Sequence, residues 1–239
     1  MRRIAAGAAG RVRRLMRTRS TPPDRSNNFV GFDKYERHGA YHWQLIDTNN
    51  DYRLKVEYVA DLVRPTDRVL DIGCGDAAYA YFVSKRCAHV TGIDADRAAI
   101  ACAKRELSCR NAGAVDVHRM TISSLSLARL GATKVFDVIY SMDVVEHLPD
   151  PGELCEKILE LADPNTTIVV GTPTYLGADL LSEYHEREYT ESAFRELLSG
   201  YFHVERLDLL GMLRNDGQVH DDGFMVATCS TRNSIEGRI

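Results

Sequence analysis

From Tyr52 onward the apolar positions switch between two periods. Tyr52–Val63 carries apolar residues at helical spacing, and Pro65 ends that helix. Arg68–Ile72 then reads as a short apolar strand, Ala77–Lys85 as a helix and Ala88–Ile93 as a second strand. Asp96 sits where it caps a helix running to about Arg110. Ala114–Arg119 and Val135–Ser141 form the third and fourth strands, and Pro151 opens a helix to about Leu161. Thr166–Val170 is the fifth strand. Thr190 caps a helix through Leu198, with Glu191 in its first turn, and His203–Leu210 with Phe224–Cys229 forms a closing strand pair. Strand–helix alternation of this kind predicts an α/β domain with a mostly parallel, doubly wound sheet. The pattern shows no internal repeat.

Two of these strands run into residues with chemistry. Val69-Leu-Asp-Ile-Gly-Cys-Gly-Asp-Ala77 takes an apolar strand into an acid and two glycines, and Val90-Thr-Gly-Ile-Asp-Ala-Asp96 ends a second strand in another acid. A glycine turn followed about twenty residues later by an acid holds a nucleoside-bearing cofactor at the carboxyl edge of a parallel sheet. Gly73 and Gly75 let the backbone turn sharply and approach a ligand, while Asp94, beside Ala95, is placed to accept both ribose hydroxyl hydrogens. Gly73, Gly75 and Ala78 also fit a loose dinucleotide fingerprint. Acids at Asp71 and Asp76 would repel a pyrophosphate, and they suit a cofactor bearing an ammonium and a sulfonium.

The first run resembles motif I of class I S-adenosylmethionine (SAM) methyltransferases, and Gly92-Ile-Asp-Ala-Asp96 resembles their ribose-binding segment. Phe136-Asp-Val-Ile-Tyr-Ser-Met-Asp-Val-Val-Glu-His-Leu-Pro-Asp-Pro151 makes the resemblance specific, and it covers roughly Asp51 to Cys229. It implies a Rossmann-like, seven-stranded sheet whose one antiparallel strand is Phe224–Cys229. It also implies SAM as cofactor and S-adenosyl-L-homocysteine (SAH) as product. On the same grounds Asp71 organises the loop at the methionine end, and the end of the fourth strand at Ser141 offers a carbonyl to the ammonium. Ile122 packs on the adenine, or equally well serves the core. Thr121 stands where relatives often carry an acid that meets the adenine amino group.

Methyl transfer from a sulfonium is an in-line displacement that needs alignment, exclusion of water and at times removal of one proton. His147 is the obvious base because imidazole titrates near neutrality, yet the Glu146-His147 pair serves equally as a structural link after the fourth strand. Tyr35-Glu-Arg-His-Gly-Ala-Tyr-His-Trp43 concentrates rings ahead of the core. In relatives such a segment is a lid over the cofactor that forms one wall of the acceptor site. This makes His42 a second candidate base and Tyr41 and Trp43 candidate acceptor contacts; packing on the sheet edge is the competing reading. His185-Glu-Arg-Glu-Tyr-Thr190 resembles the helix lead-in of many small-molecule methyltransferases, which adds His185 to the acceptor contacts. Asp143, Glu146, His147 and His185 alternatively resemble the Mg²⁺ or Mn²⁺ ligand set of small-RNA 3′-terminal 2′-O-methyltransferases. The site is expected to work without metal.

Composition sets the remaining bounds. The chain has 239 residues, 44% hydrophobic, which suits one domain with extensions. Residues 1–25 read as a basic, flexible arm holding eight arginines, 26–64 as a helical lid, 65–232 as the SAM-binding domain and 233–239 as a protease-cleavage linker. The net charge of −4 therefore leaves an acidic catalytic part, which argues against a broad nucleic-acid surface. The arm is open to weak contact with an anionic surface. No apolar run approaches the ~20 residues of a membrane span. Six cysteines without metal spacing fit reduced thiols in the cytoplasm. The expected activity is SAM-dependent methylation of a small molecule such as a sugar, glycan unit or secondary metabolite, with a hydroxyl acceptor ranked ahead of an amine. Its rivals are a metal-assisted RNA ribose methyltransferase and a non-catalytic SAM-binding partner subunit. Oligomeric state is left open.

Overall fold

The computed structural model describes residues 33–132, 135–175, 182–211 and 223–232. The basic arm and the 233–239 linker lie outside the described residues.

Seven strands form one sheet: β1 (Arg68–Ile72), β2 (His89–Asp94), β3 (Val115–Arg119), β4 (Val138–Met142), β5 (Thr167–Pro173), β6 (His203–Leu210) and β7 (Phe224–Ser230). Their order is β3-β2-β1-β4-β5-β7-β6. β1 to β5 pair in parallel, and β7 runs antiparallel to both β5 and β6. The α/β, mostly parallel sheet with one antiparallel strand is thus as expected. β5 runs to Pro173, beyond its expected end at Val170, because Thr172 and Pro173 continue to pair with Met225 and Phe224 of β7.

Alternate strand residues feed two apolar layers, as the two-residue period of a pleated strand requires. Leu70, Ile139 and Ile168 face one layer with α6 (Pro151–Leu161) and α7 (Glu191–Ser199). Val69, Val138 and Val169 face the other with α3 (Asn50–Leu62), α4 (Ala78–Val83) and α5 (Arg97–Cys109). The anticipated caps form. Asp96 accepts from the Ala98 and Ala99 amides, Thr190 accepts from Ala193, and Pro151 stands at the first position of α6.

The segment ahead of α3 folds as α1 (Lys34–His38) and α2 (Tyr41–Thr48), with Tyr35, Trp43 and Ile46 buried. All six cysteines are free. No helix of the described residues is long and apolar enough to cross a membrane. The strand order reverses between β1 and β4, and at such a switch point the connections diverge and leave a crevice beyond the strand ends.

Candidate active site

The glycine turn builds the floor of that crevice. Gly73 and Gly75 both adopt positive φ, 82° and 55°. The Gly73 and Cys74 amides donate to the Ile93 carbonyl at 2.8 and 2.9 Å, which fastens the turn to the end of β2. Asp94 locks it from the other side, accepting from the Gly75 amide at 2.9 Å and the Asp96 amide at 2.8 Å. Burial raises the Asp94 pKa, and these two amides oppose the shift. A Cβ on Gly73 would stand 2.2 Å from Val144 Cγ2, and one on Gly75 would stand 1.9 Å from the Tyr35 hydroxyl. Both positions are therefore closed to larger residues.

A cavity of about 410 Å³ opens here, its lining including Gly73, Asp94, Ala95, His147, Leu148 and Tyr184. That volume falls in the ~300–1,000 Å³ range of small-molecule and cofactor sites. Its chemistry suits SAM: Gly73 of the turn, the ordered Asp94 carboxylate, and the apolar side chains of Met120 and Ile122.

Asp71, Ser141 and Thr121, also expected at the cofactor, are not part of the cavity lining. Asp71 is buried and accepts from the Tyr140 hydroxyl at 2.7 Å; burial raises its pKa to about 8 against the effect of that hydrogen bond. Ser141 is buried and donates to the Ile72 carbonyl at 2.9 Å, tying β4 to β1. Thr121 lines no part of the cavity. Its side chain faces out and bonds Ser123 and Ser124 at 3.1 and 3.0 Å.

The two candidate bases are in different settings. His147 lines the cavity, and its Nδ1 lies 2.7 Å from the Tyr184 carbonyl. A carbonyl only accepts, so Nδ1 carries the hydrogen and the lone pair is on Nε2. Burial lowers its pKa to about 4, which keeps the ring neutral. His42 lies outside the lining. Its amide and Nδ1 both address the fully buried Asp76, at 3.0 and 3.2 Å, and its ring stacks on Tyr52.

Tyr41 packs on His42 and Tyr35 rather than on the cavity. Trp43 departs from its expected place as an acceptor wall. It is buried against Tyr81 and Phe82, and its Nε1 donates to the Asp76 carbonyl at 3.0 Å. The reason is geometric: on α2 the indole points toward α4, not toward β4. Trp43→Phe is expected to lower unfolding free energy by about 0.5–1.5 kcal/mol for the lost hydrogen bond, with SAH affinity nearly unchanged. Urea denaturation and calorimetry check both halves.

His185 is brought beside His147, with ring centroids 4.8 Å apart. The Glu186 and Arg187 amides donate to the Glu146 carbonyl at 2.9 and 3.2 Å, which docks the 182–189 segment on the turn after β4. That segment also supplies Tyr184, and α1 supplies Lys34, whose Nζ lies 4.7 Å from the Tyr184 ring. Neither residue was singled out from the sequence, where a lone ring or lysine in a connecting stretch has no distinguishing spacing.

Residues 70–170 match the family described as "Methyltransferase domain". The chain is 33% identical over 108 residues to a ubiquinone biosynthesis O-methyltransferase of Hahella chejuensis, covering 45% of this chain and 44% of that protein. To the enzyme of the same name from Nitrosomonas europaea it is 27% identical over 159 residues, 61% and 65% of the two chains. It therefore spans less than two thirds of the length of these relatives. Among solved structures, the N-methyltransferase NodS from Bradyrhizobium japonicum WM9 in complex with S-adenosyl-L-homocysteine aligns with a TM-score of 0.61 at 17% identity, covering 87% of this chain and 96% of that one. The [4+2]-cyclase SpnF aligns equally well, with a TM-score of 0.61 at 17% identity over 75% and 80%. At such identities the structures share the fold alone.

Proposed function

Because this chain belongs to the class I SAM-dependent methyltransferases, we propose that it moves a methyl group to a hydroxyl of a small molecule. SAM supplies that methyl on a positively charged sulfur. The chain's residues supply the rest. Gly73 and Asp94 hold the nucleoside end, Met120 and Ile122 pack its base, and the Tyr35 side of the cavity excludes water. The observation that carries the reading is one cavity lined by both Asp94, whose carboxylate is ordered by two backbone amides, and His147. Its acceptor end combines Val144, Leu148 and Tyr184, a largely apolar wall that favours a compact acceptor over a polynucleotide strand. A hydroxyl is ranked ahead of an amine because the curated relatives are named O-methyltransferases.

Asp94→Ala should weaken SAH binding by about 1.5–3 kcal/mol, the range for hydrogen bonds to a charged group. Calorimetry on the folded variant reads this directly, and unchanged affinity would remove Asp94 from the ribose site. Turnover is tested by supplying SAM with small hydroxyl and amine acceptors. Methylation confined to amines overturns the hydroxyl assignment. SAH binding without any turnover favours a partner subunit.

A further inference from the structure

The 182–189 segment meets the His147 ring at two points. The Tyr184 carbonyl accepts from Nδ1 at 2.7 Å, and the His185 ring lies edge-on, with centroids 4.8 Å apart and planes at 78°. Tyr184 and His185 belong to an irregular stretch, neither strand nor helix, so their placement depends on contacts made within it. Its later half is fastened to the turn after β4. The Glu186 and Arg187 amides donate to the Glu146 carbonyl, and the Arg187 guanidinium donates to the Pro149 carbonyl at 2.7 Å.

The earlier half, which carries Tyr184 and His185, folds back on Glu188. Glu188 Oε1 accepts from the Ser182 amide at 3.3 Å and meets His185 Nδ1 at 2.7 Å. The Ser182 hydroxyl oxygen accepts from the Tyr184 amide at 3.3 Å, and the Ser182 carbonyl accepts from the His185 amide at 3.3 Å. One carboxylate oxygen thus ties residues 182, 185 and 188 together around Tyr184. The Glu188 side chain is 9% exposed, so water competes weakly for these contacts. We infer that Glu188 is a positioning residue for methyl transfer: by closing this loop it aims the Tyr184 carbonyl at His147 Nδ1 and so fixes which His147 nitrogen takes the acceptor proton.

A neutral imidazole carries its hydrogen on one nitrogen and its lone pair on the other, and the partner of the first decides the second. The Tyr184 carbonyl only accepts, so it keeps the hydrogen on Nδ1. When that carbonyl withdraws, nothing on the loop side favours this form, and the lone pair spends part of its time on Nδ1, the nitrogen that faces the loop. Glu188 does not line the cavity and acts only through its neighbours. Its role in the reaction rests on reading His147 as the proton acceptor of a methyltransferase; its hold on the ring does not.

The test is ¹⁵N–¹H correlation spectroscopy of the histidine rings in the full, SAH-loaded chain, with His147→Ala used to assign the His147 signals. SAH affinity is measured by calorimetry. Values of kcat and KM are measured with SAM and the small hydroxyl acceptor that the native chain methylates fastest. The native chain should show a single His147 form with its hydrogen on Nδ1. Glu188→Ala should show both forms and lower kcat by about 10–10²-fold, the scale of a misplaced catalytic group, with the KM for SAM and SAH affinity nearly unchanged. Glu188→Gln keeps an accepting oxygen and should restore the single form and most of kcat. A native His147 with its hydrogen on Nε2, an Nδ1–H form that persists alone in Glu188→Ala, or a Gln variant no better than Ala would each overturn the inference. The first of these is read on the unmutated chain, so it holds even where Glu188→Ala fails to fold. Absence of turnover with every hydroxyl acceptor would instead overturn the methyltransferase reading and with it the catalytic use of Glu188, while the spectra still decide its hold on His147.

Discussion

His147→Ala is expected to lower turnover by roughly 10²–10⁴-fold, the range for losing a positioned proton acceptor, while SAH affinity stays almost unchanged. The expectation follows from placement. His147 follows β4 in a short 3₁₀ turn, Val145–His147, and lines the cavity. Its Nδ1 donates to the Tyr184 carbonyl at 2.7 Å. As an unaided base, a ring buried to a pKa of about 4 accepts protons reluctantly, which places the loss at the lower end of that range. His42→Ala is the control. It should disturb the Asp76 contacts and stability more than turnover, because His42 lies outside the cavity lining. If His42→Ala abolishes turnover and His147→Ala does not, the base belongs to the N-terminal segment. If neither matters, alignment and desolvation carry the reaction and an amine acceptor gains ground.

The sheet and the cofactor end were legible because their determinants are local. An apolar strand, an acid and two glycines occupy consecutive positions at Val69–Gly75, and the caps at Asp96 and Thr190 act within a turn of themselves. The insertion of β7 between β5 and β6 was not local. Nothing in the period of Phe224–Ser230 says which strands it joins, and the family resemblance supplied only that it is antiparallel. The errors of placement have physical causes too. Met120 and Ile122 line the cavity, and Thr121 between them, which stands just ahead of the 3₁₀ turn Ile122–Ser124, faces out. A motif aligned to one residue cannot see that parity. Trp43 carried a strong compositional signal, but its direction depends on how α2 lies on α4. The acceptor end is least legible of all. Lys34, His147 and Tyr184 come from three separate parts of the chain, joined by the docking of residues 182–189 on Glu146.

Gly73→Ala should be the most damaging single change at the cofactor end, lowering unfolding free energy by about 2–5 kcal/mol. Two costs combine. An L-residue at φ 82° leaves its allowed regions, which costs about 1–2 kcal/mol. The added methyl would also stand 2.2 Å from Val144 Cγ2, far inside van der Waals contact, and forcing a methyl into a packed site costs about 1–3 kcal/mol. The residues in conflict are the two sides of the switch point, Gly73 after β1 and Val144 after β4. Strain there should narrow the crevice and lower SAH affinity as well. A double variant separates the two costs. Gly73→Ala with Val144→Ala removes the atom that clashes but not the backbone strain. It should recover about 1–3 kcal/mol relative to the sum of the single changes, a coupling expected of residues in contact. Urea denaturation of the four proteins in the cycle measures it. Strict additivity would mean that the backbone alone demands glycine at position 73, and that Val144 is free to move aside.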